Sequence, residues 1–594
     1  MTRISFGLLA LMVSGPFLLP FHAWPVPSFW TEWWVCALGL AAAMAGLFMA
    51  RDRLRLSMPL LIPAVLLATL VLQFAFGRVL TPQLGLFYGT YLLWAALLMV
   101  LGRHLADTVG LARLADVLAA AFVLGALMGA AVALLQWLGV ADRVPWAFLP
   151  QSGGIQANLG QVNHHAHYSW LGIASAFHLR GRAYLSRAWF WFLILSIGFG
   201  SALSGSRSVF LYALLLLAVL AWARRRDPRA AAALLLADAA ILLPVLLALN
   251  FFGAWASPRI PEFWAWLGSL HPWLDIGPLG IRAGDTVMPG THLYEGVSGP
   301  SVRMNILRTA WAAFIEHPWL GQGAGNYLWA SFVAAAGQSA DRPMMVAEHA
   351  HNLVFHLLAE FGAPATVAVV LLLVSWAISF LRQPWKPEQA WCASILGIGA
   401  VHSMLEYPLW YGYFLAPTAL LLGATDSTRT ITLTGRRIAV YLFLVALAGA
   451  LILGKLSADH AELEETVYRP LAAHPDRERA WRMSMDSLLK LHDESLLSPW
   501  ALLAFALLAE PSRQQADDRA RLCERGIRYS PARWLVTSCA MQLAIAGREA
   551  DARQLALLAL LAYPLQGDET LDQLARGARR FPEVRPLLPA GPGG

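Results

Sequence analysis

Along the first three-quarters of the chain the apolar residues run on without the two-residue alternation of a half-buried strand. They form stretches near 4–20, 33–50, 57–75, 84–102, 114–138, 165–179, 188–203, 208–223, 230–251, 352–381, 389–404, 407–424 and 437–454. A bilayer-crossing helix needs roughly 17–25 such residues, so the pattern predicts about 13 transmembrane helices; those between 165 and 223 are short. In lipid a helix satisfies its own backbone hydrogen bonds, and the expected fold class is an all-α polytopic membrane protein. The first stretch has signal-peptide features, with Arg3 as basic flank and Phe21-His22-Ala23 as cleavage site. A dozen further stretches follow, and it is read as a span.

Two regions break the pattern. Between 252 and 350 lies a large loop with no spanning run, in which 303–317 has helical spacing and Pro318 ends it. Within this loop Phe263-Trp264-Ala265-Trp266-Leu267 and Pro272-Trp273-Leu274 suggest rings resting at headgroup level. From 455 to 594 spanning runs cease. Charge marks the same boundary: residues 1–454 hold 26 Lys+Arg and 18 Asp+Glu, whereas 455–594 hold 18 and 19 in less than a third of the length. The organisation expected is a transmembrane catalytic domain, 1–454, containing the loop 252–350, followed by a helical tail, 455–594.

With 58% hydrophobic and 14% charged residues, the chain of 594 is too apolar for a soluble enzyme. Its formal +7 belongs to the membrane part, where it reads as topology and phosphate contacts rather than nucleic-acid binding. With the N-terminus cytoplasmic, eighteen basic residues fall in inner loops, including Arg51, Arg53, Arg55, Arg224, Arg225 and Arg226. The short outer loops hold three, Arg78, Arg143 and Arg207. That imbalance places the loop 252–350 and the tail on the outer face, the periplasm of a Gram-negative envelope.

Polar side chains entering a membrane are costly and tend to be functional or paired. His349-Ala350-His351-Asn352 sits where the large loop meets an apolar run, and His356 and Glu360 follow on one helix face, read as a structural pair. Gln156 to Tyr168, containing Gln161, Asn163, His164 and His165, precedes another span on the outer side. His402 to Tyr411, containing Glu406 and Tyr407, forms an outer hairpin. Three polar clusters on one face point to one site. Arg207, in a tight outer turn, is either a snorkelling anchor or a phosphate ligand, since guanidinium grips phosphate oxygens through paired hydrogen bonds. Arg303 opens the amphipathic stretch of the loop, and Gly321-Gln322-Gly323-Ala324-Gly325 is a plain turn or a place where backbone approaches a ligand. It is no Walker loop, for no Gly-Lys-Ser/Thr follows.

These motifs in this order resemble the bacterial protein O-oligosaccharyltransferases, the pilin-glycosylating branch of the O-antigen ligase/polymerase superfamily. Pro20 to Trp30 resembles the family's opening outer loop. Asn158-Leu159-Gly160-Gln161-Val162-Asn163-His164 is similar to its signature, with Val162 where proline is usual. Arg303 to Gly325 resembles the Arg…His-Pro…Gly-x-Gly stretch, and His351-Asn352 followed by Gly362 the ligase motif. Leu405-Glu406-Tyr407-Pro408-Leu409-Trp410-Tyr411 is close to the protein-glycosylating branch.

The resemblance implies en bloc transfer of an oligosaccharide from an undecaprenyl-pyrophosphate carrier to Ser or Thr hydroxyls of periplasmic proteins such as pilin, with inversion and no covalent intermediate. Arg207 and Arg303 would neutralise the departing pyrophosphate. Two roles are open to His351: general base toward the acceptor hydroxyl, or imidazolium bound to phosphate. Gln161, Asn163, His164, His349, Asn352, Glu406 and Tyr407 would bind substrate. No cofactor is expected, and His349/His351 and His164/His165 are too loose for a metal, so the reaction is read as metal-independent. The runners-up are an O-antigen ligase acting on lipid A-core, a polymerase, and a polyprenol-lipid transporter; the last would show internal repeats and broken midplane helices. In the tail, 527–565 resembles a degenerate tetratricopeptide pair turning at Ala546-Gly547-Arg548, too small to bury a core alone. Cys523 and Cys539 share the tail and are free to pair there, while Cys36 and Cys392 fall in spans.

Overall fold

The computed structural model describes residues 2–47, 53–149, 154–226, 230–270, 302–339, 344–426, 431–434, 436–468, 477–508 and 510–589. Pro272-Trp273-Leu274 and the middle of the large loop lie outside them. Helices are α1 (Thr2–Met12), α2 (Phe29–Leu47), α3 (Leu61–Ala75), α4 (Pro82–Val109), α5 (Leu111–Trp137), α6 (Val162–Gly181), α7 (Arg187–Leu203), α8 (Ser208–Arg226), α9 (Ala230–Ala256) and α10 (Ile260–Leu270). There follow α11 (Val302–Glu316), α12 (Tyr327–Ala336), α13 (Leu353–Leu381), α14 (Pro387–Ser403), α15 (Gly412–Thr425) and α16 (Arg436–Tyr468). The tail carries α17 (Arg477–Glu494), α18 (Ser498–Leu508), α19 (Ala516–Tyr529), α20 (Arg533–Ile545), α21 (Glu549–Ala562) and α22 (Gly567–Arg580).

A helix covers each of the thirteen apolar runs. Among the described residues, seven helical segments are long and apolar enough to cross a membrane, and four shorter apolar helices accompany them. The protein is an all-α polytopic membrane protein with one exception to that expectation. Arg53–Leu56 and Ile431–Thr434 form an antiparallel ribbon, Leu54 opposite Leu433. Both segments alternate in period two, the pattern of a strand. Helical structure also continues past 252, through α9, a 3-10 turn at Ser257–Arg259 and α10, before the large loop leaves the described residues.

The chain divides into two compact units. The first comprises Met1–Pro63, Leu93–Val297 and Leu372–Leu451; the second comprises Ala64–Leu92, Ser298–Leu371 and Ile452–Gly594. In the first unit, small residues let helices approach closely, as membrane helices without a water-driven hydrophobic effect require. A Cβ on Gly102 of α4 would stand 2.0 Å from the Leu420 carbonyl oxygen of α15, and one on Gly423 would stand 2.0 Å from that of Met99. Gly172 of α6 faces Ala126 of α5 in the same manner. Around these crossings Trp170, Tyr168, Tyr212 and Phe122 are fully buried.

In the second unit the tail does not own its core. Phe332, Ala335 and Ala336 of α12, a helix of the large loop, join Ile527, Leu535, Val536, Ala556 and Leu574 in one apolar cluster. Gln338 donates to the Leu561 carbonyl (2.9 Å), and the Arg528 guanidinium lies over Trp329. The docking expected of a tail too small to bury its own face is thus met by the loop. Cys523 and Cys539 are disulfide-bonded, their Cα atoms 5.6 Å apart, joining α19 to α20.

Candidate active site

In the first unit, three polar stretches distant in sequence meet at the start of α6. Gln161 caps this helix, its side chain accepting the His164 N–H (2.6 Å). Asn163 reaches outward in two directions: its amide donates to Glu406 Oε1 (2.8 Å), and its Oδ1 accepts from Ser206 Oγ (2.7 Å). Ser206 also lies 2.8 Å from Ser208 Oγ. Arg207, between the two serines, is exposed at the head of α8. Glu406 is buried, so Asn163 satisfies a carboxylate that would otherwise be costly. His164 is also buried, with Tyr413 Oη 3.1 Å from its Nδ1 and the rings of Tyr411 and Tyr407 at 4.7 and 6.4 Å. Behind it Tyr212 Oη and His402 Nδ1 are 2.5 Å apart.

The opening outer loop belongs to the same cluster. Asn158 donates to the Leu18 and Trp146 carbonyls (2.7 and 2.8 Å) and accepts from Phe148 N (2.8 Å). His22 Nε2 lies 2.8 Å from the Asn158 carbonyl oxygen. Burial pushes the His22 imidazole below its usual range. Gly160, at φ 69°, lets that ring close in, since a Cβ would stand 3.0 Å from it. The stretches 156–164, 204–208 and 402–413 therefore meet within the first unit, whereas the third polar cluster expected from the sequence, His349 to Asn352, belongs to the second.

His349, His351, Asn352 and Arg303 belong to the second unit. Asn352 is the N-cap of α13, its Oδ1 accepting from Val354 N and Phe355 N (3.1 and 3.2 Å). His351 is half-buried at φ 49°, a left-handed conformation that a non-glycine residue holds only when its surroundings fix it. Burial keeps the His349 imidazole well below its usual range, hence neutral. Glu348 beside it is open to solvent yet crowded by protein, and that desolvation raises its pKa. Arg303 is exposed in the first turn of α11.

The glycine loop takes a different role from ligand approach. Helix α13 is broken at Gly362 (φ 77°, ψ 175°), and the carbonyls freed by the break are taken by the loop: Gln322 N donates to Ala359 O (2.8 Å) and Gly323 N to Glu360 O (3.1 Å). In return Ala363 N donates to Pro318 O (2.8 Å). Gly321 and Gly362 each have positive φ and no room for a Cβ, because backbone lies against backbone. Gln73, a lone amide in an apolar run, donates to Leu320 O and Glu360 O and accepts from Ala324 N. The pair His356–Glu360 (3.5 Å) joins both motifs. Ala350 N donates to His356 Nδ1 (3.2 Å), and Gly325 N to Glu360 Oε1 (3.0 Å). Since His356 Nδ1 accepts, its proton is on Nε2, directed at Glu360. The two side chains lie together on one helix face and reach both loops. Among missed residues, Gln73 had a legible signal, an amide inside a span; Ser206 and Tyr413 had none beyond lying near the motifs. No cluster of three metal-ligating side chains occurs among the described residues.

Residues 191–370 match the family described as O-antigen ligase, and 390–575 match that described as virulence factor membrane-bound polymerase, C-terminal. The chain is 26% identical over 513 residues to the general O-oligosaccharyltransferase of Acinetobacter baylyi, spanning 84% of this chain and 83% of the relative. The chain is thus similar to an O-oligosaccharyltransferase over most of its length. The ligase match holds Arg207, Arg303, the glycine loop and the His-Asn motif, while the polymerase match holds the Glu406–Tyr411 hairpin and most of the tail.

Proposed function

We propose that this protein is a glycosyltransferase that moves an oligosaccharide en bloc from undecaprenyl pyrophosphate to Ser or Thr hydroxyls of periplasmic proteins, pilin among them. The observation carrying this is the similarity to a general O-oligosaccharyltransferase over 84% of this chain and 83% of the relative. The polyprenol pyrophosphate is an excellent leaving group, so the protein has mainly to hold it and orient a weak nucleophile. Arg207 and Arg303 neutralise the charge that develops on the pyrophosphate. His351 takes the acceptor proton or binds phosphate as imidazolium. Gln161, Asn163, His164, His349, Asn352, Glu406 and Tyr407 bind sugar or acceptor; His349, being neutral, does so as a hydrogen-bonding group rather than a cation. The protein sits in the bacterial inner membrane with thirteen spans, a cytoplasmic N-terminus, and a periplasmic large loop and tetratricopeptide-like tail.

The match to O-antigen ligases keeps lipid A-core as the second reading for the acceptor. Cells given a lipid-linked oligosaccharide, a candidate pilin and acceptor-ready lipid A-core separate the two. Glycan on the pilin that disappears in His351→Ala at equal protein abundance supports the transferase and His351 together. Glycan on lipid A alone makes the protein a ligase. Undiminished transfer in the variant removes His351 from the chemistry.

A further inference from the structure

Between α12 and the N-cap of α13 the chain runs from Met344 to His351 without helix or strand pairing. Such a segment needs partners for its backbone groups, and it takes them from side chains. Thr309 of α11, fully buried, accepts the Met345 N–H (3.1 Å) and lies 3.2 Å from the Met345 carbonyl oxygen. Ser331 of α12, also fully buried, accepts the Ala347 N–H (3.2 Å) and lies 3.0 Å from the Ala347 carbonyl oxygen. Residues two apart in an extended chain present their peptide groups to the same edge. The two hydroxyls therefore stand where the peptides of a neighbouring strand would stand. On the alternate positions, Met344 and Val346 pack against the apolar cluster of the tail, and Met344 N donates to Gln338 Oε1 (3.4 Å).

We propose that Thr309 and Ser331 are positioning residues of the transfer reaction, a pair of buried hydroxyls that clamp 344–347 and thereby hold His351 in place. The proposal rests on the transferase reading. The left-handed His351 lies between two anchors, Ala350 hydrogen-bonded to His356 and Asn352 capping α13. A non-glycine residue in that conformation is disfavoured, and it relaxes when the segment leading to it is released. The clamp removes that freedom from the N-terminal side. It also gives the tail a part in the reaction, because Met344 and Val346 rest on the tail's core.

The test uses the full chain in detergent with Thr309→Val, which keeps the side-chain shape, Ser331→Ala, and Thr309→Ser as the conservative control. Two quantities are read: transfer kinetics, and amide hydrogen exchange over 344–352. The expected result is faster exchange at Met345 and Ala347 and a kcat lowered about 10- to 100-fold, with donor KM within about threefold and Thr309→Ser near wild type. Unchanged exchange, or faster exchange with unchanged kcat, overturns the proposal. So does an equal loss in Thr309→Ser, which would make the effect one of packing. Should Ser331→Ala not accumulate, Thr309→Val decides alone. A wild type that transfers no glycan to protein sinks the transferase reading, while the exchange data still report whether the hydroxyls hold the segment.

Discussion

Adding one methyl group to Gly323 puts a Cβ 2.1 Å from the Arg78 carbonyl oxygen, whereas at Gly547 it meets nothing within 4 Å. Both residues have positive φ, 103° and 77°. The left-handed penalty alone is about 1–2 kcal/mol; backbone collision comes on top of it and has no flexible side chain to absorb it. Gly323→Ala is therefore expected to destabilise by about 3 kcal/mol or more, and Gly547→Ala by the left-handed penalty only, as thermal unfolding of the purified variants would show. Equal effects would mean that the loop does not pack against the Arg78 backbone. Asn163 offers a second case. Replacing it with Leu removes the amide that donates to buried Glu406 and one of the hydroxyl's acceptors at Ser206. Losing a hydrogen bond to a buried group costs about 1–3 kcal/mol, so Asn163→Leu should unfold at distinctly lower temperature. A variant as stable as wild type would show that Glu406 finds another partner.

The same glycines show what a sequence discloses about an element and what it withholds. Three glycines at alternate positions announce a close approach of backbone, but the partner, a helix break near residue 362, is supplied by tertiary structure. Asn352 before an apolar run was legible as a cap position, since a short polar side chain there satisfies the first free N–H groups. The ribbon 53–56 with 431–434 alternated as strands do, yet each strand has four residues, and its arginines carried a topological reading instead. Least legible was the core shared by α12 and the tail, because its members lie about two hundred residues apart and each half alone reads as an ordinary amphipathic helix. Within that core the disulfide closes a separation of 16 residues, and a loop of about that length stabilises by about 3 kcal/mol in the chain-entropy account. Reductant is expected to lower the unfolding temperature of the wild type and to leave a Cys523→Ser/Cys539→Ser variant unmoved. If both respond alike, the bond does not stabilise the tail.

For the whole molecule, acid is a probe of burial. His22, His349 and His492 all lie outside the spans and are each held below the ordinary imidazole value of 6.5, chiefly by burial. In the unfolded chain they take up protons near pH 6.5; folded, they do so only at lower pH. Between those values the unfolded state binds more protons, so stability rises with pH there, is complete above about 6.5, and is lost as pH falls. Glu348 acts in the opposite sense above 4.5, its raised pKa favouring the folded protonated form until pH passes that raised value. Three groups outweigh one, and unfolding temperature should fall between pH 7 and 5.5, less steeply in His349→Asn. A flat profile would mean these imidazoles are hydrated after all.

The largest claim about the molecule concerns sides of the membrane. Because α12 of the large loop shares an apolar core with α19 to α22, loop and tail must lie on the same side. A disulfide within that core favours the oxidising side. Eighteen basic residues against three in the opposing short loops favour it independently. Labelling tests the three arguments together. In a background of Cys36→Ala and Cys392→Ala with the disulfide kept, a membrane-impermeant maleimide should reach Leu565→Cys and Trp319→Cys in spheroplasts, both being exposed positions of the second unit. Arg225→Cys, in the basic end of α8, should label only after permeabilisation. Labelling of Leu565→Cys and Trp319→Cys from opposite sides would contradict the shared core. Labelling of both from inside would place the His-Asn motif in the cytoplasm, away from any periplasmic acceptor, and the proposed reaction would fall with the topology.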